Sequence, residues 1–576
     1  MVTSAVSQEQ SVVAYFSMEV GLDPAMPTYS GGLGVLAGDT LRAAADIGIR
    51  LVGVSLLHRR GYFRQHLDEH GNQTESPVEW SPEQFLEPMG PYAAVKIEDR
   101  EVRIRAWRYL IKGRSEYQVP VYFLDTDLPA NSQWDRSLTG ELYGGDSHYR
   151  LCQEVVLGMG GVAMLKALGY RVRAYHMNEG HSALLALALL EEQTWGKGLA
   201  KAGDADREEV RQRCVFTTHT PVPAGQDRYP LEMVRRVLGE ERANALCDAK
   251  TCLDGELNMT NLALVFSRYI NGVSMRHEEV SRTMFPNYPV NSITNGVHAS
   301  TWASEPFQKL YDSRIPEWRR DNLYLRYAIS IPPEEIQAAH VQAKTAFLDE
   351  VQRRAGVRLS PSAMTIGFAR RATPYKRADL LFSNIERLKR MVRRHGPLQV
   401  IYGGKAHPRD EGGKALIRRV FEAAAELAPL VKVVYLEEYD MALAKYLCSG
   451  VDLWLNTPKK PEEASGTSGM KAALNGIPSL SVLDGWWIEG CFDGVTGWAI
   501  GDSAESESDP VVEARSMYDK LEYTILPMFY NDPKSYAKVM RAAIAINASY
   551  YNAERMLYQY YRNAYGGPVR PGVSPG

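Results

Sequence analysis

AMTIGFARRATPYKRADLLFSNIERLKRMVRRHGPLQVIYGG, residues 363–404, holds the pattern that decides the fold. An apolar run rich in β-branched and aromatic residues (363–369) passes through a basic turn into the helix-like RADLLFSNIERLKRMVRRH, then into a second apolar run at 398–404. Strand, helix and strand in that order form a crossover unit whose strands pair in parallel. Further runs follow at 431–437 (VKVVYLE), 451–456 (VDLWLN), 478–483 (PSLSVL) and 497–501 (GWAIG), and ALIRRVFEAAAELA is a further helix-like segment among them. The alternation predicts a doubly wound, parallel α/β sheet. Upstream the same logic holds with more insertions: SVVAYFS leads into the glycine turn SGGLG and a helix through Ala45, and RLVGVSLL, YQVPVYFLD, RVRAYHM and CVFTTHT supply strands. A helical region around 260–285 ends in Pro286, Pro289 and the turn Asn295-Gly296, which sets the expected domain boundary: 1–296 and 297–576. The last helical stretch, about 534–564, is rich in Tyr and Ala and able to pack back across both halves. Two such domains facing each other create one deep cleft at the carboxyl ends of their strands.

The composition suits this reading. A chain of 576 residues is long for one core, and 45% hydrophobic with 23% charged residues is the balance of a soluble globular protein. Sixty-six Lys and Arg against 69 Asp and Glu give a net charge of −3, which offers no support for nucleic-acid binding. The 6 cysteines are scattered, without CxxC or zinc-ligand spacing, so reduced thiols in a cytoplasmic protein and no metal are expected. No leader is expected from MVTSAVSQEQ, no run is long enough to span a bilayer, and GGPVRPGVSPG reads as a frayed tail.

The chemistry gathers at strand ends. In EEASGTSGMKAALNG (462–476), small residues and hydroxyls precede a helix-like run, as in an anion cradle at a helix N-terminus. Lys471 there could be a phosphate contact, a Schiff-base amine or a solvated charge. Arg370 and Arg371 follow the strand GFA, Lys376 lies on the next turn, and Lys405 follows IYGG, so these cations are expected to converge on one crevice. Gly31, Gly32 and Gly34 would bring bare backbone N–H groups close to a ligand, but they do not form a dinucleotide fingerprint. Asn178, Glu179 and His181 end one strand and His219 ends another, suggesting hydroxyl recognition. Asn295 and Trp302 lie at the domain junction, where Trp302 is equally readable as core. Glu462 and Glu463 are sequence neighbours pointing different ways, so no hydrolase-type carboxylate pair is evident. Phosphoryl or glycosyl transfer fits this inventory best.

At this point the motifs resemble a family. EASGTSGMKAALN (463–475) is similar to the pyridoxal-phosphate signature of the α-glucan (glycogen, starch, maltodextrin) phosphorylases. SGGLG (30–34), MNEGHSA (177–183), TTHTPVPAG (217–225), ITNGVHASTW (293–302), RRATPYKR (370–377) and LDGWW (483–487) resemble family segments in the same order. The resemblance implies the GT-B fold, two Rossmann-like domains with the active site between them. It implies that Lys471 carries pyridoxal 5′-phosphate, with Thr467, Ser468, Gly469 and Arg370 at its phosphate and Tyr439 and Trp302 around it. Arg371, Lys376 and the Gly32 backbone would bind substrate phosphate. Leu33, His219, Asn295, Glu463, Ser465 and Gly466 would line the glucosyl pocket. The implied reaction is retaining transfer of the terminal glucosyl unit of an α-1,4-glucan to phosphate, giving α-glucose 1-phosphate, with the cofactor's 5′-phosphate relaying a proton. A homodimer is implied as well.

The chain departs from the large phosphorylases in ways that resemble the short prokaryotic branch. Little precedes SVVAYFS, so control through an N-terminal regulatory arm is not expected. Asp440 stands where the large enzymes have arginine, Thr373-Pro374 replaces a His-Glu pair, and Gly21 replaces an aromatic residue. Gln226 stands where other short members are expected to have histidine. Two rivals are a GT-B synthase using a nucleotide sugar and a silent glucan-binding protein. Tyr29 and Ser30, where a synthase usually has a lysine before its glycines, argue against the first. Retention of Lys471, Arg371, Lys376 and His219 together argues against the second.

Overall fold

A computed structural model describes residues 11–566; the N-terminal decapeptide and the tail after Gly566, where the frayed end was expected, lie outside it. The chain is a mixed α/β protein built on two large sheets. The second sheet has 6 strands in the order Val431–Leu436, Leu398–Gly403, Met364–Ala369, Leu453–Asn456, Ser479–Val482 and Gly497–Ile500. Every pairing in it is parallel. Its central strands Met364–Ala369 and Leu398–Gly403 are buried throughout, because helices cover both faces. These are the six runs read from the sequence.

The first sheet has 9 strands: Val290–Ser292, Tyr269–Gly272, Cys214–Thr217, Val172–Asn178, Val12–Ser17, Leu51–Leu56, Gln118–Asp125, Arg100–Lys112 and Glu87–Ile97. The first seven pair in parallel, and the last two form an antiparallel ribbon that the sequence reading did not contain. The supposed helical region 260–285 is two helices, Met259–Val265 and Met275–Met284, with the strand Tyr269–Gly272 between them. A strand of only four residues, Tyr-Ile-Asn-Gly, is too short for periodicity to separate it from the flanking helices.

One chemical expectation is overturned. Cys247 and Cys252 form a disulfide, while Cys152, Cys214, Cys448 and Cys491 are free. The helix Glu240–Asp248 ends in a turn through Lys250 at φ 60°, which brings Cys247 back against the strand Cys252–Leu253 with its Cα 5.0 Å from that of Cys252. A spacing of five residues matches no redox or zinc motif, so the sequence carried no signal for the pair.

After the second sheet the chain returns. Helical segments at Pro533–Ala542 and Ala543–Ala548 give way at Ser549–Asn552 to the helix Ala553–Gln559 and a last turn, Tyr560–Ala564. Ala553, Met556, Leu557, Tyr560 and Tyr565 share one apolar cluster with Val13, Tyr15, Leu41 and Val121 of the first sheet and its first helix. The return segment also meets the link between the sheets: Val297 N donates to Tyr551 O (3.1 Å) and Ala553 N to Val297 O (2.9 Å). Gly296 is required there, because a Cβ would collide with the Asn552 carbonyl. No described helix is long and apolar enough to cross a membrane.

Candidate active site

The carboxyl edge of the first sheet is organised by Glu19, two residues past the strand Val12–Ser17. Its Oε2 accepts from Ser30 N (2.6 Å) and Gly31 N (3.1 Å), and its Oε1 accepts from Tyr143 Oη (2.9 Å). The glycine turn is thereby pinned, and the helix Gly32–Ile47 begins without a side-chain cap or an acidic residue in its first turn. The amides of Gly32 and Leu33 therefore have no intrahelical acceptor at the positive end of the helix dipole.

Asn178 ends one strand, His219 lies two residues past its neighbour Cys214–Thr217, and the two side chains meet, Asn178 Oδ1 lying 2.7 Å from His219 Nε2. Asn178 Nδ2 donates to Ser17 Oγ (3.1 Å), so its carbonyl oxygen faces the ring and His219 Nε2 is the donor. Burial, reinforced by His277, His176 and His181, holds the His219 imidazole down at about 3, so it is neutral near pH 7. Glu179 sits at φ 75° and accepts from Gly180 N (3.0 Å), His219 N (2.7 Å) and Thr220 Oγ1 (2.9 Å), which fixes the loop behind the ring. His181 is drawn elsewhere. Its Nε2 lies 3.5 Å from Asp227, which is also paired with Arg150, and its Nδ1 is buried without a partner.

On the second sheet, Arg370 and Arg371 follow the strand Met364–Ala369, and Lys376 closes the turn Pro374–Lys376. Glu463 Oε2 accepts from Arg370 Nη2 and from Lys376 Nζ (2.5 Å for the latter). Burial alone would raise the Glu463 carboxyl, but the two cations and their hydrogen bonds hold it at about 2. Arg370 Nη1 remains buried and unpartnered. Arg371 is the contrasting group: among the described residues it makes no hydrogen bond or ion pair, and Tyr62, Tyr143, Tyr375 and Glu19 surround it. Water reaches its side chain although protein flanks it on most sides, the position of a group on a crevice wall. Burial would lower its basicity, but those tyrosines and Glu19 raise it above the ordinary value. A cavity of about 180 Å³ lined in part by Tyr62, Tyr143, His407 and Arg409 opens nearby. Lys405 does not join this group. Its Nζ donates to Phe63 O (2.8 Å) and pairs with Glu438, another strand-end residue, so it fastens the two halves together.

The glycine turn of the second sheet completes the edge. Gly466 adopts φ 76°, Ser465 Oγ donates to Gly466 O (3.0 Å), and the short helix Ser468–Ala473 starts at Thr467 with no side-chain cap. Ser468 Oγ accepts from Trp454 Nε1 (3.1 Å), and Gly469 packs so closely on Trp486 that a Cβ would lie 2.9 Å from its ring. Lys471 is 7% exposed, and its Nζ lies over the Trp302 ring, 4.0 Å from the centroid, with no hydrogen-bond acceptor among the described residues. Burial holds its amine below the ordinary 10.5, against the opposing pull of Asp39 and Cys448. Trp302 is core by burial and also donates from Nε1 to Asp39 Oδ2 (2.8 Å). Tyr439 is part-buried near Arg370 and Cys448, where burial pushes its hydroxyl well up.

Asn295 enters from the link between the sheets. Asn295 N donates to Val273 O (3.0 Å), and the adjoining Ser274 Oγ donates to Ala464 O (2.6 Å), next to Glu463. The Asn295 Oδ1 is buried without a donor. Glu19, Asp39 and Tyr143 escaped the sequence reading. For Glu19 the signal existed, since it follows a strand just as Asn178 ends one. Asp39 is one of two acids in a mostly apolar helix that also carries Arg42, and nothing in that pattern singles it out.

Residues 239–491 match the profile of the carbohydrate phosphorylase family. The chain is 39% identical to the maltodextrin phosphorylase of Thermococcus litoralis, over 96% of this chain and 70% of that protein. It is 35% identical to the glycogen phosphorylase of Mycobacterium tuberculosis, again over 96% and 70%. Against the glycogen phosphorylase of Aquifex aeolicus it is 34% identical over 96% of this chain and 86% of that one. With relatedness of this extent over nearly the whole length, the chain belongs to the carbohydrate phosphorylase family.

Proposed function

We propose that this protein is an α-glucan phosphorylase, transferring the terminal glucosyl unit of an α-1,4-glucan to inorganic phosphate with retained configuration and releasing α-glucose 1-phosphate. The observation that carries the reading is Arg371, a guanidinium without a carboxylate partner on the same strand-end edge as the Glu463–Arg370–Lys376 group and the buried Lys471. A cation unpaired among the described residues, with tyrosine hydroxyls in its electrostatic reach, suits an anion that comes and goes. Arg371, Lys376 and the Gly32 amide would hold the reacting phosphate and stabilise charge as the glycosidic bond breaks. His219, neutral and presented by Asn178, would contact glucosyl hydroxyls together with Glu463 and Asn295, and Leu33, Ser465 and Gly466 would shape the pocket around the ring. We infer the GT-B arrangement from the same geometry, with domains 1–296 and 297–576 facing each other across these strand ends, and by the resemblance a homodimer.

The residues present fit pyridoxal 5′-phosphate. A buried amine with no acceptor is costly to keep charged and is chemically suited to hold an aldehyde. Thr467, Ser468 and Gly469 at an uncapped helix start, with the orphaned Arg370 Nη1, suit a phosphate tail. Trp302 and Tyr439 would flank the ring. When bound, the group supplies a second phosphate, with a pKa about 6, that can hold or give a proton beside the substrate phosphate.

The test is phosphate-dependent release of glucose 1-phosphate from maltooligosaccharides, run beside elongation of the same primers from glucose 1-phosphate, UDP-glucose and ADP-glucose. Phosphorolysis and elongation from glucose 1-phosphate are expected. Transfer from a nucleotide sugar without phosphorolysis would overturn the reading, as would inactivity with every donor in cofactor-saturated protein.

A further inference from the structure

The return segment of the chain does more than fill the first core. Arg555 lies on the helix Ala553–Gln559, and its guanidinium reaches the link between the sheets. Nη1 donates to Thr294 O (2.6 Å) and to Gln559 Oε1 (3.0 Å), Nη2 donates to Asn295 O (2.9 Å), and Nε donates to Tyr550 O (2.8 Å). The group stacks over the Tyr550 ring at 4.7 Å and has no carboxylate partner among the described residues. A cation held by carbonyls and an amide oxygen loses hydration on burial with no paired carboxylate to offset it. It does gain geometric definition, because the planar fork fixes two successive carbonyls relative to each other. Those carbonyls belong to Thr294 and Asn295. The Thr294 hydroxyl is tied to Glu489 Oε2 (2.8 Å), and the Asn295 side chain ends in a buried oxygen with no donor.

We propose that Arg555 is a positioning residue that sets where the Asn295 carboxamide stands in the glucosyl pocket. The proposal rests on reading Asn295 as a contact to the transferred glucosyl unit. The Val297–Asn552 bridge and the close approach of Gly296 to the Asn552 carbonyl hold the path of this segment, and Asn295 N on Val273 O (3.0 Å) holds the amide side of the Thr294–Asn295 peptide. What Arg555 adds is a hold on the carbonyl side of that peptide and of the next one, so that both planes flanking the Asn295 Cα are fixed and its side chain is aimed. Substrate hydroxyl then meets an oxygen already in place, without the cost of ordering it at each turnover.

The experiment is a double-mutant cycle on the cofactor-loaded enzyme with Arg555→Met, Asn295→Ala and the pair, measuring kcat and KM for phosphorolysis together with Tm and cofactor content. Arg555→Met keeps the apolar stem over Tyr550 and removes every donor. Each single variant is expected to lose about 10- to 100-fold in kcat/KM. The double variant is expected to fall within about twofold of the worse single one, because residues acting through one contact are not additive. Losses that multiply would overturn the proposal, since Arg555 would then act independently of Asn295. So would a folded Arg555→Met enzyme with unchanged kcat/KM. An Asn295→Ala enzyme of wild-type activity would refute the glucosyl role of Asn295 itself and the proposal with it, and that outcome is distinct from the other two. If Arg555→Met fails to fold, Arg555→Lys takes its place in the cycle, judged by the same non-additivity.

Discussion

Replacing Arg371 by Ala separates a ligand-directed cation from a structural one. Arg370 and Lys376 are both paired with Glu463, whereas Arg371 has no partner among the described residues that its loss would strand. Its removal therefore leaves no buried carboxylate uncompensated, and Tm should stay within about 1–2 °C of wild type, as for changes that cost less than about 0.5 kcal/mol. The reaction should suffer far more. Losing a charge-assisted, fork-shaped contact to a reacting anion removes about 2–4 kcal/mol of transition-state stabilisation, which is roughly 30- to 1000-fold in rate. Initial rates of phosphorolysis against phosphate concentration, normalised to bound cofactor, give the number directly. Full cofactor content with a loss in this range is expected. Normal turnover per bound cofactor, with cofactor content lost instead, would assign Arg371 to the cofactor and refute the reasoning.

Glu463→Ala should behave in the opposite way, destabilising the protein by on the order of 3–5 kcal/mol at neutral pH because two buried cations lose their counter-charge. Since the Glu463 carboxyl is held at about 2 against an ordinary 4.5, its stabilisation is full above about 4.5 and fades as pH falls towards 2; the Tm gap between wild type and variant should narrow as pH drops from 5 to 3.5, and a constant gap would contradict the pairing. For Lys471 the sign reverses: burial lowers its amine below 10.5, so the unfolded chain binds the proton more tightly and a charged Lys471 costs stability at pH 7. Cofactor-free Lys471→Met should therefore melt above cofactor-free wild type and take up no cofactor covalently, as peptide mapping after borohydride reduction reads out; a lower Tm, or label on another lysine, would count against it.

The second sheet was legible because each strand is an apolar run buried on both faces and set off by turns and helix-like segments, as at 364–369 and 398–403. The ribbon 87–112 was not. Its inward residues Val102, Ile104 and Ala106 alternate with Glu101, Arg103 and Arg105, and one face is wet, so no continuous run announces it. The strand-end rule found Arg370, Arg371, Asn178 and His219, but it could not say which cation another strand end would claim. Glu438 takes Lys405, and Glu463 takes Arg370 and Lys376 across separations of 93 and 87 residues. Pairings between distant loops leave no periodicity in the sequence. Asp39 was invisible for a different reason, because its role comes from the Trp302 indole that reaches it from the opposite half of the chain.

The cluster that joins Val13 and Tyr15 to Ala553, Met556, Leu557, Tyr560 and Tyr565 has a consequence for biosynthesis. The ribosome makes the first strand early, yet the side chains that cover one flank of it emerge more than five hundred residues later. Until then Leu41, Val121 and their neighbours present apolar surface with no cover from that quarter, so the first sheet cannot reach its finished packing as an autonomous unit during synthesis. The second sheet also takes Tyr536, Ile544 and Tyr551 from the return segment, but these follow soon after its last strand, so its wait is far shorter. Translation order and packing order are therefore crossed: the first strands, made before the whole second sheet, are covered only by a segment made after it.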